Sequence, residues 1–149
     1  MTTPTFEPLP APAHLDASPL IARLSRDFGY PLVDAASLES FLAAVEGLAV
    51  VFVTGDPRKL LDTGDVAVIL PELVAHFAGR LTPAVLARDA EALAATRLGA
   101  EVKPALVFLA AGRPVGVIPR VRDWDEYTSR IEGYLAQTLA ATDIPGRAN

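Results

Sequence analysis

The residues of this chain that could do chemistry are few. The 149 residues include no cysteine, which excludes disulfides, thiol catalysis and thiolate metal sites. The two histidines, His14 and His76, fall in a proline-rich segment and in a helical pattern, so neither a histidine metal site nor a catalytic triad is expected. Gly55 and Gly64 are too far apart for a phosphate-binding loop. The sequence therefore predicts a protein that is not an enzyme, with no catalytic residue, no metal and no cofactor.

The composition predicts a globular domain. Hydrophobic residues make up 51% of the chain, charged residues make up 21%, and the mean hydropathy is +0.33. The net charge of -5 disfavours nucleic acid or an anionic membrane as a partner and is compatible with a basic peptide. The apolar runs are too short to cross a bilayer, and the N-terminus lacks the basic and apolar parts of a secretory signal. We expect no membrane insertion and a cytoplasmic location.

Hydrophobic spacing predicts alternating helices and strands in the first half of the chain. Ser18 is suited to begin a first helix and Ser37 to begin a second, with a short strand, Leu32–Val33, between them. Leu48–Val53 is continuously apolar, as in a strand that is covered on both faces. A polar loop is predicted over residues 54–64.

The second half is predicted to contain a helix, a strand, a short helix, a hairpin and a long helix. Pro71 either opens the regular part of the first of these helices or kinks it. Pro83 cannot donate to a strand ladder, so full pairing is expected only after it. Trp124, after a capping Asp123, is interpreted as a core anchor, with an exposed partner contact as the alternative. The elements are helix 66–79, strand 81–86, helix 89–98, strands 105–109 and 115–118, and a helix from residue 124.

This order of elements combines crossover units, which imply parallel strands, with a terminal hairpin. It predicts an α/β fold of the thioredoxin-like type, a three-layer sandwich with a mixed central sheet, helices on both faces and an extra N-terminal helix. Pro104 stands where that fold carries a cis-proline, and a trans proline at a strand start is the alternative. The predicted organisation is a flexible proline-rich arm over residues 1–17, the domain over residues 18–141 and a polar tail over residues 142–149.

Four segments resemble a known family: VTGDPRK, ILPELVAHF, LGAEVKPALVFLAAGRPVGVI and RDWDEY. They are similar to the cysteine-free, thioredoxin-like hydrogenase maturation proteins known as HyaE, HupG and HoxO. The resemblance extends over roughly residues 32–139.

The resemblance implies a non-catalytic chaperone for the small subunit of a membrane-bound nickel-iron hydrogenase. Such a chaperone would bind the small-subunit precursor and its twin-arginine signal peptide before export. Other maturation proteins are further candidate partners, and the oligomeric state stays open. The alternative is a structural thioredoxin-like interaction domain in another assembly. An enzyme that works without thiols is disfavoured, because no nucleophile and base pair is recognisable.

The candidate partner-binding residues follow from the predicted sheet, because ligands of α/β proteins bind beyond the carboxyl ends of the strands. Arginine pairs bidentately with carboxylates, so an acidic rim around an apolar groove would suit a twin-arginine peptide. Basic residues lie among these acids, and for any single carboxylate, such as Asp65, helix capping or a solvated surface is the alternative. Glu91 is a further carboxylate at this edge. The candidate set is Asp56, Arg58, Lys59, Asp62, Asp65, Asp89, Glu101, Lys103 and Pro104.

Overall fold

The computed structural model describes the backbone of residues 18–143 and the side chains of residues 18–138. Helix α5 includes residues 142 and 143 of the predicted tail, and the predicted arm and residues 144–149 lie outside the described part. The helices are α1 (Pro19–Arg26), α2 (Leu38–Ala44), α3 (Asp62–His76), α4 (Ala92–Thr96) and α5 (Trp124–Asp143), with a 3-10 helix at Arg88–Ala90. The strands are β1 (Leu32–Val33), β2 (Leu48–Val53), β3 (Leu81–Leu86), β4 (Ala105–Ala110) and β5 (Arg113–Pro119).

The five strands form one mixed sheet in the order β1-β3-β2-β4-β5. β2 runs parallel to β3 and antiparallel to β4, and β4 and β5 form the predicted hairpin. Ala111 and Gly112 make its turn with φ values of 52° and 77°, the left-handed conformation that suits a two-residue hairpin loop. The predicted α/β fold with a mixed central sheet is confirmed.

The central strand β2 is buried along its whole length, as its apolar sequence predicts. Successive side chains of a strand point to opposite faces of the sheet. Leu48, Val50 and Phe52 therefore join a core with α1, α3 and α5, whereas Ala49 and its alternate neighbours join a second core with α2 and α4. Two apolar cores on one sheet make the predicted three layers.

The extra N-terminal helix α1 is confirmed together with its predicted cap. The Ser18 hydroxyl oxygen accepts the Ile21 N–H at 3.2 Å, and Pro19 takes the first helical position. Ile21 and Leu24 are buried in the same core as α3. The helix is thus part of the fold and not an appendage.

Helix α3 begins at Asp62, four residues before the predicted start at Val66. The prediction was wrong because the first turn lacks apolar periodicity and is fixed by a polar contact. The buried Thr63 donates its hydroxyl to the carbonyl oxygen of Thr54 at 2.6 Å. Pro71 is buried inside the continuous helix, so it does not open the regular part. The loop after β2 is therefore shorter than predicted and covers residues 54–61.

Two other local predictions are wrong. The hydroxyl of Ser37 does not cap α2. Instead, Asp34 Oδ1 accepts the N–H groups of Ala36 and Ser37, each at 3.0 Å, in a turn that leads into the helix. The predicted helix 89–98 consists of the 3-10 helix and the short α4.

Pairing of β3 with β2 runs through Pro83, which lies opposite Val50, so the expected delay in pairing is also wrong. The N–H groups of Val85 and Ala87 point toward β1, where they donate to the carbonyl oxygens of residues 31 and 33. By the same alternation the nitrogen of Pro83 faces the β1 side, and β1 pairs only with Val85 and Leu86. The missing donor of Pro83 therefore breaks no ladder.

Trp124 is not a core anchor. It is 39% exposed and its ring meets the His76 ring edge-on, with centroids 5.5 Å apart. Tyr127 and Ile131 take the core positions of α5. Trp124 is the first residue of α5, and the helix enters the core only at Tyr127, three residues later.

Gly116 of β5 lies under the ring of Tyr134 from α5, and an added Cβ would overlap that ring. Gly133, one residue earlier in α5, has open space around it. We expect Gly116→Ala to destabilise the protein by about 1–3 kcal/mol through overpacking. Gly133→Ala should stabilise it by about 0.5–1 kcal/mol through higher helix propensity. Urea unfolding followed by circular dichroism measures both, and equal effects would contradict this packing of α5 on β5.

Candidate functional site

The candidate site lies where the carboxyl end of β2 meets the amino end of β4. Val53 pairs with Ala105, so Pro104 lies beside the loop of residues 54–61. The Lys103–Pro104 peptide bond is cis, as predicted. The Pro104 carbonyl oxygen accepts the Arg120 N–H at 2.7 Å, which fastens the segment after β5 to the same edge.

Gly55 lets the loop after β2 pass close to the segment before β4. Its φ is +70°, and an added Cβ would overlap the Leu60 side chain and lie 3.0 Å from Lys103 Cβ. Both the conformation and the space require glycine here. The first turn of the loop is therefore fixed against the Pro104 segment.

Glu91 connects three segments of this edge. Its side chain is only 10% exposed, and Oε2 accepts the Gly55 N–H at 2.8 Å and the Thr54 hydroxyl at 3.4 Å. Oε1 lies 3.4 Å from Arg88 Nε and 3.8 Å from Lys103 Nζ. A carboxylate this little exposed needs such partners to offset the loss of water. Glu91 thus holds the loop after β2, the 3-10 segment and the segment before Pro104 together.

Asp56 and its partners form the outer part of the same network. Asp56 Oδ1 accepts the Arg58 backbone N–H at 3.0 Å and lies 3.4 Å from Arg58 Nε and 3.9 Å from a terminal nitrogen of Arg88. The hydrogen bond from the Arg58 N–H, aided by the nearby guanidinium groups, holds the pKa of Asp56 below its usual value. Asp56 is therefore a charged, partnered carboxylate and not a free one.

The rim of the site is of mixed charge. Asp62 Oδ2 lies 3.1 Å from Arg120 Nε, so this carboxylate also has a cationic partner. The three paired carboxylates, Asp56, Asp62 and Glu91, stand among five cationic residues. This rim is therefore not uniformly acidic, and the basic residues noted among the candidate acids lie within it. The five cations are Arg58, Lys59, Arg88, Lys103 and Arg120.

A groove of about 280 Å³ opens beside Pro104. Leu61, the residue before α3, is 87% exposed at this groove. An apolar side chain this exposed gains about 1.5–3 kcal/mol when a partner fully covers it. The groove is lined by Lys59, Leu60, Leu61, Asp62, Lys103, Pro104 and Arg120.

The structure sorts the predicted partner-binding residues into three groups. Lys59, Asp62, Lys103 and Pro104 line the groove. Asp56 and Arg58 lie in the adjoining ion-pair network. Three exposed carboxylates join neither the groove lining nor an ion pair of the described side chains, and these are Asp65, Asp89 and Glu101.

Sequence reasoning left several contributors to this edge out of its candidate set, among them Leu61, Glu91 and Arg120. Leu61 could have been found, since the segment RKLLD places two leucines inside a charged loop. The bracing role of Glu91 carries no such signal, because its hydrogen-bond partner Gly55 is 36 residues away. Arg120 likewise meets Asp62 across 58 residues.

Arg120 has an unusual backbone conformation, with φ of +65°. This left-handed region favours glycine and costs another residue on the order of 1 kcal/mol. Its N–H donates to Pro104, and its carbonyl oxygen accepts the hydroxyl of the buried Tyr127 at 3.3 Å. The surroundings therefore impose this backbone and place the Arg120 side chain at the groove.

Among the described side chains, those of residues 18–138, no group of three or more His, Asp and Glu residues is arranged to hold a metal ion. Among the helices described over residues 18–143, none is long and apolar enough to cross a membrane. What the site offers is a surface of apolar side chains and paired charges.

Comparison with known proteins places the chain in a family context. The model of the family described as "Hydrogenase-1 expression protein HyaE" matches residues 20–127. The hydrogenase expression/formation protein HoxO of Azotobacter vinelandii is 47% identical over 118 residues, which are 79% of this chain and 78% of that protein. HupG of Bradyrhizobium diazoefficiens, of the same description, is 44% identical over 102 residues, 66% of this chain and 69% of that protein.

A solved structure is similar as well. The crystal structure is described as a hydrogenase expression/formation protein, HupG, from Rhodopseudomonas palustris, and it is 37% identical in sequence. The match covers 72% of this chain and 96% of that chain, with a TM-score of 0.52.

Replacement of Glu91 should loosen the whole edge. We expect Glu91→Gln to destabilise the protein by about 1–3 kcal/mol, since the amide leaves the Arg88 and Lys103 charges without their partner. Glu101→Gln is the matched control, because Glu101 is exposed, and its effect should stay within about 0.5 kcal/mol. Urea unfolding of the three proteins gives these values, and equal effects would show that Glu91 does not brace the loops.

Asp56 should make stability dependent on acid. Because its pKa is lower in the folded chain than the ordinary 3.8, the carboxylate stabilises the fold above that value. This contribution is lost as the pH falls through the folded pKa. We therefore expect Asp56→Asn to lower the free energy of unfolding at pH 7 and to lower it less at about pH 2.5. A loss that is the same at both pH values in urea titrations would contradict the assignment.

Proposed function

Because the chain belongs to the HyaE family of hydrogenase expression/formation proteins, we propose that it is a non-catalytic chaperone for the small subunit of a nickel-iron hydrogenase. It binds the small-subunit precursor and its twin-arginine signal peptide in the cytoplasm, before export. The observation that carries the proposal is the exposed Leu61 at the groove beside Pro104. Membership of this family supports hydrogenase-related partners in general.

The groove fits a peptide better than it fits a reaction. Its lining includes the apolar residues Leu61 and Pro104, and the chain has no cysteine. A thioredoxin-like site without a thiol can hold an extended client but cannot exchange disulfides with it. The protein would thus protect the client without changing its covalent structure.

The basic head of a twin-arginine peptide would bind at Asp62, the carboxylate of the groove lining, with the exposed Asp65 just outside that lining. Asp62 and Asp65 are three residues apart in the first turn of α3, so they lie near each other on one side of the helix. Asp65 is exposed, and Asp62 holds its present partner Arg120 through a pair whose arginine side chain is 59% exposed. Exposed ion pairs contribute only about 0–1 kcal/mol, so the present pair offers little resistance to an incoming arginine.

An apolar segment of the client would cover Leu61. Burying this side chain on binding supplies about 1.5–3 kcal/mol, which corresponds to roughly a tenfold or larger gain in affinity. A signal peptide has an apolar body next to its basic head and could use Leu61 and the aspartates together. A folded subunit surface would need the same two features side by side.

Binding of the cognate small-subunit precursor, with and without its signal peptide, tests the proposal. We expect the full precursor to bind and Leu61→Ser to weaken binding about tenfold or more. Val68→Ser is the matched control, because Val68 is an exposed apolar residue of α3 outside the groove lining, and it should bind as wild type does.

Isothermal titration calorimetry on the purified proteins measures these affinities. Binding that persists without the signal peptide would place the main contact on the folded subunit. If neither form of the precursor binds, the chaperone proposal is wrong, and an interaction domain of another assembly takes its place.

A further inference from the structure

We propose that Asp62 is the docking point for an arginine side chain of the client, and that Arg120 occupies this point in the free protein until the client displaces it. The inference rests on the proposed function, because it assigns the client's basic head to one residue of the groove. In the free protein, the Arg120 guanidinium thus takes the place of the client's guanidinium.

The geometry points to this role first. Asp62 begins α3 and Arg120 follows β5, and both line the groove that contains Leu61. Arg120 Nε meets Asp62 Oδ2 at 3.1 Å, so a guanidinium already sits on the carboxylate at the groove. A client arginine presents the same group, and a swap would leave Asp62 paired throughout.

The two ion-pair groups at this edge differ in how easily they can be exchanged. The Arg120 side chain is 59% exposed and that of Asp62 is 26% exposed. Water therefore screens this ion pair and can solvate either group when the pair opens. The Glu91 side chain is 10% exposed and also accepts the Gly55 N–H, so its removal would disturb the loop. Exchange is therefore expected at Asp62 and not at Glu91.

The backbone of Arg120 limits the exchange to its side chain. Its N–H donates to the Pro104 carbonyl, and its own carbonyl accepts the hydroxyl of the buried Tyr127. The guanidinium can leave Asp62 while both backbone hydrogen bonds stay in place. The left-handed φ of +65° also means that glycine fits this position without strain, which provides a variant suited to folding.

Leu61 provides an apolar contact next to Asp62. It is 87% exposed at the groove, directly before Asp62 in the chain. A client arginine on Asp62 would bring its neighbouring residues over Leu61. Charge and apolar contact then come from adjacent residues of this protein, which is the combination that a basic head joined to an apolar body requires.

The probe for this site is the dipeptide Arg-Arg amide, titrated into the ¹⁵N-labelled full chain while the amide signals of Asp62 and Thr63 are followed by NMR. We expect Arg120→Gln and Arg120→Gly to bind the probe about three- to fivefold more tightly than wild type, since no internal guanidinium competes. Asp62→Asn should abolish the response. Lys-Lys amide should bind more weakly than Arg-Arg amide, because an ammonium lacks the bidentate fork.

Arg113→Gln is the matched control, since it removes the same charge from an exposed residue at the opposite end of β5. It should leave the affinity unchanged. Equal or weaker binding by both Arg120 variants would overturn the inference, as would an equal gain in Arg113→Gln, which would indicate a non-specific effect of net charge. These outcomes are independent of the precursor, whose failure to bind any of the proteins would refute the proposed function instead.

Discussion

Burial of β2 on both faces is the constraint on which the rest of the structure depends. Its six apolar residues alternate between two cores, so helices must cover the sheet from both sides and strands must pair along both edges of β2. Burying backbone without such pairing would leave unsatisfied polar groups. Exposed polar residues can therefore follow only after the last residue of β2. That end is where the charged loop begins and where the groove forms.

The contacts at this edge are of two kinds. Buried contacts hold the loops in place, whereas solvent-exposed contacts at the groove can be exchanged for contacts with a partner. Glu91 is almost out of water and ties three segments through the Gly55 N–H and two cations. Leu61 and the Arg120–Asp62 pair lie outside this brace and are exposed to solvent. A partner can therefore replace the contacts of Leu61 and of the Arg120–Asp62 pair without disturbing those of Glu91. Under the proposed function, the same division would give the client a binding site whose loops are already held in place.

Charge shows how a whole-chain property differs from a local one. The net charge of -5 is compatible with a basic client, whereas cationic residues outnumber the paired carboxylates at the groove. Within a few ångströms, direct pairing dominates over the summed field, because distant charges are screened by solvent and salt. The proposed recognition of arginine at this rim therefore relies on exchange between ion-pair partners and not on a general negative potential. The family relationship implies hydrogenase-related partners and does not specify the contact.

The sequence by itself determined the order of the elements, the buried strands and the three-layer sandwich. Hydrophobic periodicity and strong helix caps such as Ser18 are local signals that can be found in a sequence. It also determined the absence of thiol chemistry and the position of Pro104. It misplaced the start of α3 and the cap of α2, where polar contacts of Thr63 and Asp34 replace apolar spacing. Only the tertiary structure decided the site, because the bond from Gly55 to Glu91 and the pair of Arg120 with Asp62 join residues 36 and 58 positions apart. Such contacts leave no periodic trace in a sequence, since they depend on how separate segments are brought to one edge of the sheet.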